Sequence, residues 1–166
     1  NKLYKKEASI IYDNQGKIIA KIGEEMREKI TYEEMPEVLI DAIIATEDSR
    51  FFQHNGFDLP RFLKASFGQI MGNRDAGGAS TLTMQIAKNH YTSNESRGIE
   101  GIIRKFTDIY LSIFKIERNY TKFEILEFYA NSNYLGGINY GGAHGVEQAS
   151  QLYFGKNAKD LTLPEA

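Results

Sequence analysis

Glu47 is the residue best placed to do chemistry in this sequence. It closes a run in which Val38, Leu39, Ile40, Ala42, Ile43, Ile44 and Ala45 are apolar almost all round a helix. A carboxylate at the end of such a helix loses hydration, which favours its neutral form and raises its proton affinity toward that of a useful base. The same residue also reads as a solvated helix-end acid paired with Arg50, and Asp48 carries the same two readings. His54 has no partner at metal-ligand spacing, and His90 and His144 are the only other histidines. The expectation is therefore a hydrogen-bonded histidine holding a loop, with no metal site.

A second group is cationic. Arg104 and Asp108 stand at i, i+4 and Lys105 and Asp108 at i, i+3, so two cations flank one carboxylate. This is either an ordinary surface ion pair or a place where the cations neutralise a phosphate and keep the Asp ionised. Thr81, Gln85 and Lys88 follow i, i+4, i+7 and share a polar helix face that could meet a ligand. Gly77-Gly78-Ala79-Ser80-Thr81 resembles an anion cradle at a helix start, but it lacks the Gly-Lys-Ser/Thr ending and the preceding strand of a nucleotide P-loop.

The elements that must position these residues are mostly helical. Ser9–Tyr12, a turn at 13–16 and Lys17–Ile22 read as a small hairpin. A helix from Pro36, apolar nearly all round, is expected to be central and buried. It runs into Glu47-Asp48 and a turn through Phe51, Phe52, His54 and Gly56. Pro60–Met71 suggests another helix, closed by Gly72-Asn73 and a glycine-rich stretch through Gly78. A third starts near Ser80 or Thr81; 92–96 is a polar loop. From Ile99, the residues Ile102, Ile103, Phe106, Ile109, Tyr110 and Ile113 keep a 3.6-residue period along a long amphipathic helix. Thr121-Lys122-Phe123-Glu124 is a capping-box signature for the next helix. Gly136, Gly137, Gly141 and Gly142 mark an irregular loop before a last helix, 143–153, capped at Gly155. The fold class is mainly α, in a single domain over 1–166 with a hairpin region at about 1–30.

The 166 residues are 42% hydrophobic and 25% charged, enough for one real core without a staple. Twenty Lys+Arg against 22 Asp+Glu give a formal charge of −2, too balanced for a protein whose whole surface binds nucleic acid and compatible only with a local basic patch. Cysteine is absent, which removes disulfides, thiolate metal sites and Cys nucleophiles. No apolar run approaches the ~18 residues of a spanning helix. The sequence starts without Met and ends on Leu163-Pro164-Glu165-Ala166, which reads like a helix beginning, so a piece of a longer protein is expected.

The run Glu47-Asp48-Ser49-Arg50-Phe51-Phe52-Gln53-His54-Asn55-Gly56 resembles the Glu-Asp-x-x-Phe-x-x-His-x-Gly block of the peptidoglycan glycosyltransferases of family 51, found in bifunctional penicillin-binding proteins and monofunctional transglycosylases. Gly78-Ala79-Ser80-Thr81-Leu82-Thr83-Met84-Gln85 with Lys88-Asn89 is similar to the second block. Arg104-Lys105 opens the third, and 122–131, ending at Asn131, is similar to the fourth. The likeness continues through Tyr140-Gly141, Gly145-Val146-Glu147 and Tyr153-Phe154-Gly155-Lys156 and covers about 11–166.

The resemblance implies a lysozyme-like, two-lobed helical domain whose smaller lobe, a jaw at about 58–80, touches the membrane. Phe62, Phe67, Ile70 and Met71, which by themselves read as core, then read as dipping into the outer leaflet. It implies lipid II and the growing glycan as substrates, joined by an inverting β-1,4 transfer that releases undecaprenyl diphosphate. It implies Glu47 as general base, Asp108 as second carboxylate, and a substrate-binding set of Asp48, Phe51, His54, Ser80, Thr81, Gln85, Lys88, Arg97, Arg104, Lys105 and Asn131. Of these, Lys88, Arg97, Arg104 and Lys105 match or lie near the diphosphate-binding cations.

No cofactor is required, although Mg²⁺ or Mn²⁺ on the diphosphate fits the implied chemistry. An N-terminal anchor outside this segment would place the domain on the extracytoplasmic face of a bacterial plasma membrane, with a transpeptidase domain able to follow. The third block departs from its usual Arg-Lys-x-x-Glu, because Asp108 is shorter by one methylene, about 1.5 Å of reach. The segment 91–101 is also longer than usual. A lysozyme-like hydrolase and a non-catalytic lipid II binding domain are the competing readings.

Overall fold

The computed structural model describes residues 9–12, 15, 18–22, 29–72, 78–92, 98–136 and 142–166. Arg97, Gly77, Tyr140, Gly141 and most of the 92–96 loop lie outside these residues, as does the side chain of Ile70. The strands β1 (Ser9–Tyr12) and β2 (Ile18–Ile22) pair antiparallel, with Ser9 opposite Ile22 and an irregularity between Ile11 and Tyr12. The α-helices among the described residues are α1 (Glu37–Glu47), α2 (Leu59–Ile70), α3 (Leu82–Ala87), α4 (Gly98–Leu111), α5 (Lys122–Ser132) and α6 (Val146–Phe154). The mainly α class is what the sequence patterns imply.

The centre of the core is α3, not α1. Leu82, Thr83, Met84, Ile86 and Ala87 are all buried, and the helix packs on α4, on the π-helical turn Ser112–Ile116 and on α5. In α1 only Leu39 is fully buried, and Ile40, Ile43 and Ile44 are half-buried against the core. Being apolar on every side let α1 read as central, yet composition alone cannot say how many neighbours a helix has. The six-residue α3 is surrounded instead, and it carries Gln85 and ends at Lys88. Leu82 and Leu126 are completely inaccessible, so truncating either to Ala costs about 2–5 kcal/mol.

Local signals explain most helix ends. Thr121 and Glu124 make the reciprocal capping box, with Thr121 Oγ1 accepting from Glu124 N at 3.2 Å and Glu124 Oε2 accepting from Thr121 N at 2.7 Å. Pro36 is the N-cap of α1 instead of its first helical residue, and its carbonyl accepts from Leu39 and Ile40. The last helix starts at Val146, three residues later than the pattern suggested. Gly145, at φ +85°, turns the chain there, and Ala143 and His144 are engaged beside Tyr134 and Leu135. A Cβ at Gly145 would stand 3.0 Å from the Asn131 carbonyl.

Two helical segments prolong α3 and α4 in π-helical form, Lys88–Thr92 and Ser112–Ile116. Such turns rotate the following residues off the regular face. The apolar stripe of α4 points outward: Ile99, Ile102, Ile103, Phe106 and Tyr110 are all exposed. On α2, Leu59, Leu63 and Phe67 are exposed as well, and so is Met71 just past its end, whereas Phe62 is half-buried and packs on the Phe57 ring. Among the described residues no helix is long and apolar enough to cross a membrane.

Candidate active site

Glu47 stands at the last position of α1, half-buried, and its Oε2 accepts a 2.8 Å hydrogen bond from Gln85 Nε2 on α3. Arg50 does not take the role of its partner; it pairs with Asp58, Nε to Oδ2 at 3.4 Å. Gln85 is three residues before Lys88, and side chains at that spacing are neighbours on one face. Lys88 is exposed. One short helix therefore joins the acid to the first cation.

The other cations come from α4. Arg104 donates to Asp108 Oδ2 at 3.0 Å, and Lys105 Nζ donates to Ser80 Oγ at 2.7 Å. Burial holds the Lys105 ammonium below the usual lysine range; Asp108 opposes this, and the charges of Arg104 and Lys88 add to it. The Lys88–Thr92 turn packs on α4, with the Thr92 hydroxyl on Asp108, so the segment that begins at Lys88 lies against the helix that carries Arg104 and Lys105. Asp108 is buried with both oxygens engaged, Oδ2 by Arg104 and Oδ1 by the Thr92 hydroxyl at 2.6 Å. The sequence spacing put both cations on Asp108, whereas Lys105 hydrogen-bonds to Ser80.

Several residues of the expected binding set lie beneath this surface. Asp48 is fully buried; His54 Nε2 meets its two oxygens at 3.1 and 3.0 Å, Leu82 N donates to Oδ2 at 3.0 Å, and Arg61 reaches Oδ1 at 3.4 Å. Phe51 is also inaccessible, with the Lys122 ammonium 4.3 Å above its ring and the His54 ring at its edge. Thr81 turns inward as the N-cap of α3, accepting from Met84 N and donating to the Gly56 carbonyl at 2.7 Å, so it leaves the Gln85–Lys88 face. Gly56, at φ +84°, is pressed against the Ser112 backbone, where a Cβ would stand only 2.9 Å away. Asn131 spends its amide on the backbone of Ile30, accepting from its N–H at 2.9 Å and donating to its carbonyl at 2.7 Å.

The fold also brings together what sequence spacing kept apart. Asp48, His54 and Asp58 place ligand atoms within 4.8 Å of one another, so His54 does have partners at metal-ligand distance. Arg61 on Asp48 and Arg50 on Asp58 already balance the two carboxylates, which makes the cluster a buried ion-pair network. Arg61 and Thr92 had no local signal, since their partners are 13 and 16 residues away. A third network, in which Glu117 Oε1 accepts from Thr83 at 2.6 Å and Lys122 at 2.7 Å, ties α3 to the start of α5.

The transglycosylase family model matches residues 15–166. The chain belongs to the transglycosylase family. Penicillin-binding protein 1A of Vibrio cholerae is 44% identical over 155 residues, covering 93% of this chain and 18% of that protein. The protein of the same name from Neisseria gonorrhoeae is 43% identical over 156 residues, and that from Pseudomonas aeruginosa 39% over 155. The chain thus spans 18% of the length of these relatives. In this transglycosylase domain the Gln85–Glu47 hydrogen bond joins α3 to α1, and Lys105 of α4 reaches Ser80 in the segment before α3.

Proposed function

We propose that this transglycosylase domain polymerises lipid II, with Glu47 as general base and Lys88, Arg104 and Lys105 holding the diphosphate of the lipid-linked donor. The 4-hydroxyl oxygen of the acceptor GlcNAc attacks the donor's anomeric carbon as its proton passes to Glu47. The bond from that carbon to the diphosphate oxygen breaks, and undecaprenyl diphosphate leaves with the electron pair. Attack opposite the leaving group inverts the anomeric centre and gives the β-1,4 linkage. Fixed cations act where charge develops, on the departing diphosphate, and so lower the barrier more than they tighten the ground state.

One observation carries this reading: Gln85, which holds Glu47, and Lys88, which opens the cation group, are three residues apart on one helix. It also favours transfer over hydrolysis. A hydrolase needs a protonated acid at the sugar leaving group, and the second carboxylate, Asp108, is held by Arg104 and Thr92. Asp48, Phe51, His54, Thr81 and Asn131 then support the site from below, and Ser80 seats Lys105.

The described residues offer a poor fit for Mg²⁺ or Mn²⁺ beside the diphosphate. Asp108 is the only described acid that an ion pair or hydrogen bond ties to Arg104, Lys105 or Lys88, and its oxygens are taken. The diphosphate charge is met by protein cations, and no step runs through a metal.

The exposed apolar faces of α2 and α4 are read as the membrane-facing surface on the extracytoplasmic side. Both helices grip the segment before α3, Arg61 through the Gly78 carbonyl at 2.8 Å and Lys105 through Ser80. An anchor and a transpeptidase domain elsewhere in the full-length protein complete the proposal. Polymerisation of lipid II by the wild type, and its loss in Glu47→Gln, is the test.

A further inference from the structure

Tyr129, on α5, is buried, and its phenol donates to Gln85 Oε1 at 3.3 Å, while Gln85 Nε2 donates to Glu47 at 2.8 Å. We propose that Tyr129 is a positioning residue that sets the Gln85 amide so that its NH₂ group, and not its carbonyl, faces the Glu47 carboxylate. The inference rests on the reading of Glu47 as the base.

The logic is one of hydrogen-bond polarity. A primary amide has an acceptor on one side and donors on the other, and turning it over changes its shape little. An ionised carboxylate only accepts, so Glu47 is served by one orientation alone. A phenol hydroxyl beside the amide oxygen selects that orientation by donating to it. The phenol stays protonated and able to donate, because burial, followed by the negative charge of Glu47, raises it above the ordinary tyrosine range against the opposing hydrogen bond of Asn133. The chain from Tyr129 through Gln85 then fixes Glu47 Oε2 and leaves Oε1 to receive the acceptor's proton. Without the phenol, the amide is free to turn its carbonyl toward Glu47, which suits a protonated acid and disables a base.

Neither residue's local sequence points to this, since Tyr129 and Gln85 are 44 positions apart. Tyr129 touches no reacting atom in this arrangement. It acts on the base only through Gln85, and that dependence can be measured.

The experiment compares Tyr129→Phe, Gln85→Ala and the double variant with the wild type for lipid II polymerisation in detergent, with Glu47→Gln alongside. Phe keeps the ring in its pocket. The expected result is a kcat about 3–10-fold lower for Tyr129→Phe with KM unchanged, and no further loss when Tyr129→Phe is added to Gln85→Ala. An unchanged kcat, or an equal loss in the Gln85→Ala background, overturns the inference. If Tyr129→Phe melts early, a difluorotyrosine at 129 replaces it. Its more acidic phenol, facing Gln85, Glu47 and Asn133, must bring the alkaline loss of kcat to lower pH in a Lys105→Arg background, where the lysine no longer titrates, and an unmoved limb there overturns the inference. A fully active Glu47→Gln instead removes the underlying reading, so the two failures are distinguishable.

Discussion

Gln85 Nε2 lies 2.8 Å from Glu47 Oε2, joining the middle of α3 to the last residue of α1 across 38 positions of sequence. Because α3 is buried on nearly every other side, this bond fixes the acid against the core of the domain. A misplacement of about 1 Å can cost on the order of 100-fold in rate, so an anchor in the core matters for a base.

Asp48 is expected to be a stability residue first. Asp48→Asn removes the charge that His54, Arg61 and Leu82 N share in a fully buried position. The loss should be about 3 kcal/mol, read as a fall in urea midpoint and a lower Tm. A change below about 1 kcal/mol contradicts the buried network.

Lys105 should set an alkaline limit. Burial lowers its proton affinity, so the cation is lost at a lower pH than from an exposed lysine, and diphosphate binding weakens as pH rises. The alkaline limb of kcat/KM, which reports the free enzyme, should shift upward or vanish in Lys105→Arg, because guanidinium stays charged. An identical limb in that variant contradicts the assignment.

Asp108 is expected to act by holding Arg104. Asp108→Ala releases the Arg104 guanidinium and the Thr92 hydroxyl and should lower kcat/KM about 10-fold or more, through misplaced positive charge. Asp108→Glu, which keeps the charge, should stay within about 10-fold of wild type. A Glu variant as impaired as the Ala variant would show that side-chain length, and not the ion pair, governs this position.

The outward apolar faces should bind lipid. Replacing Phe67 of α2 and Met71 just after it, or Ile102 and Phe106 on α4, with Glu should cut partition into lipid vesicles by at least about 10-fold while leaving Tm little changed. Equal vesicle binding by these variants contradicts a membrane role for those faces.

What could be read from sequence alone depended on how local the cause was. Capping at Thr121, the i, i+4 pair of Arg104 and Asp108, and the amphipathic period of α4 all arise within one or two turns, and each is in place. The side of α4 that meets solvent was not legible, because a helical period gives a stripe but not its neighbour. Gln85 on Glu47 and on Tyr129, and Arg61 and Leu82 on Asp48, come from elements 13–44 residues away, and only the tertiary fold chooses them. The burial of Asp48, Phe51 and Thr81 shows a further limit. Residues of one motif block divide between accessible positions and the buried support beneath them, and residue type alone does not separate the two.

The most direct measurement is steady-state turnover of lipid II by Glu47→Gln, with product length resolved and binding of the lipid-linked substrate followed in parallel. The neutral amide keeps the shape at the end of α1 but cannot take a proton. Turnover should therefore fall by about 10²–10⁴-fold while the cations still hold the diphosphate and binding persists. Glycan polymer made by this variant at the wild-type rate would contradict the assignment of Glu47 as the base.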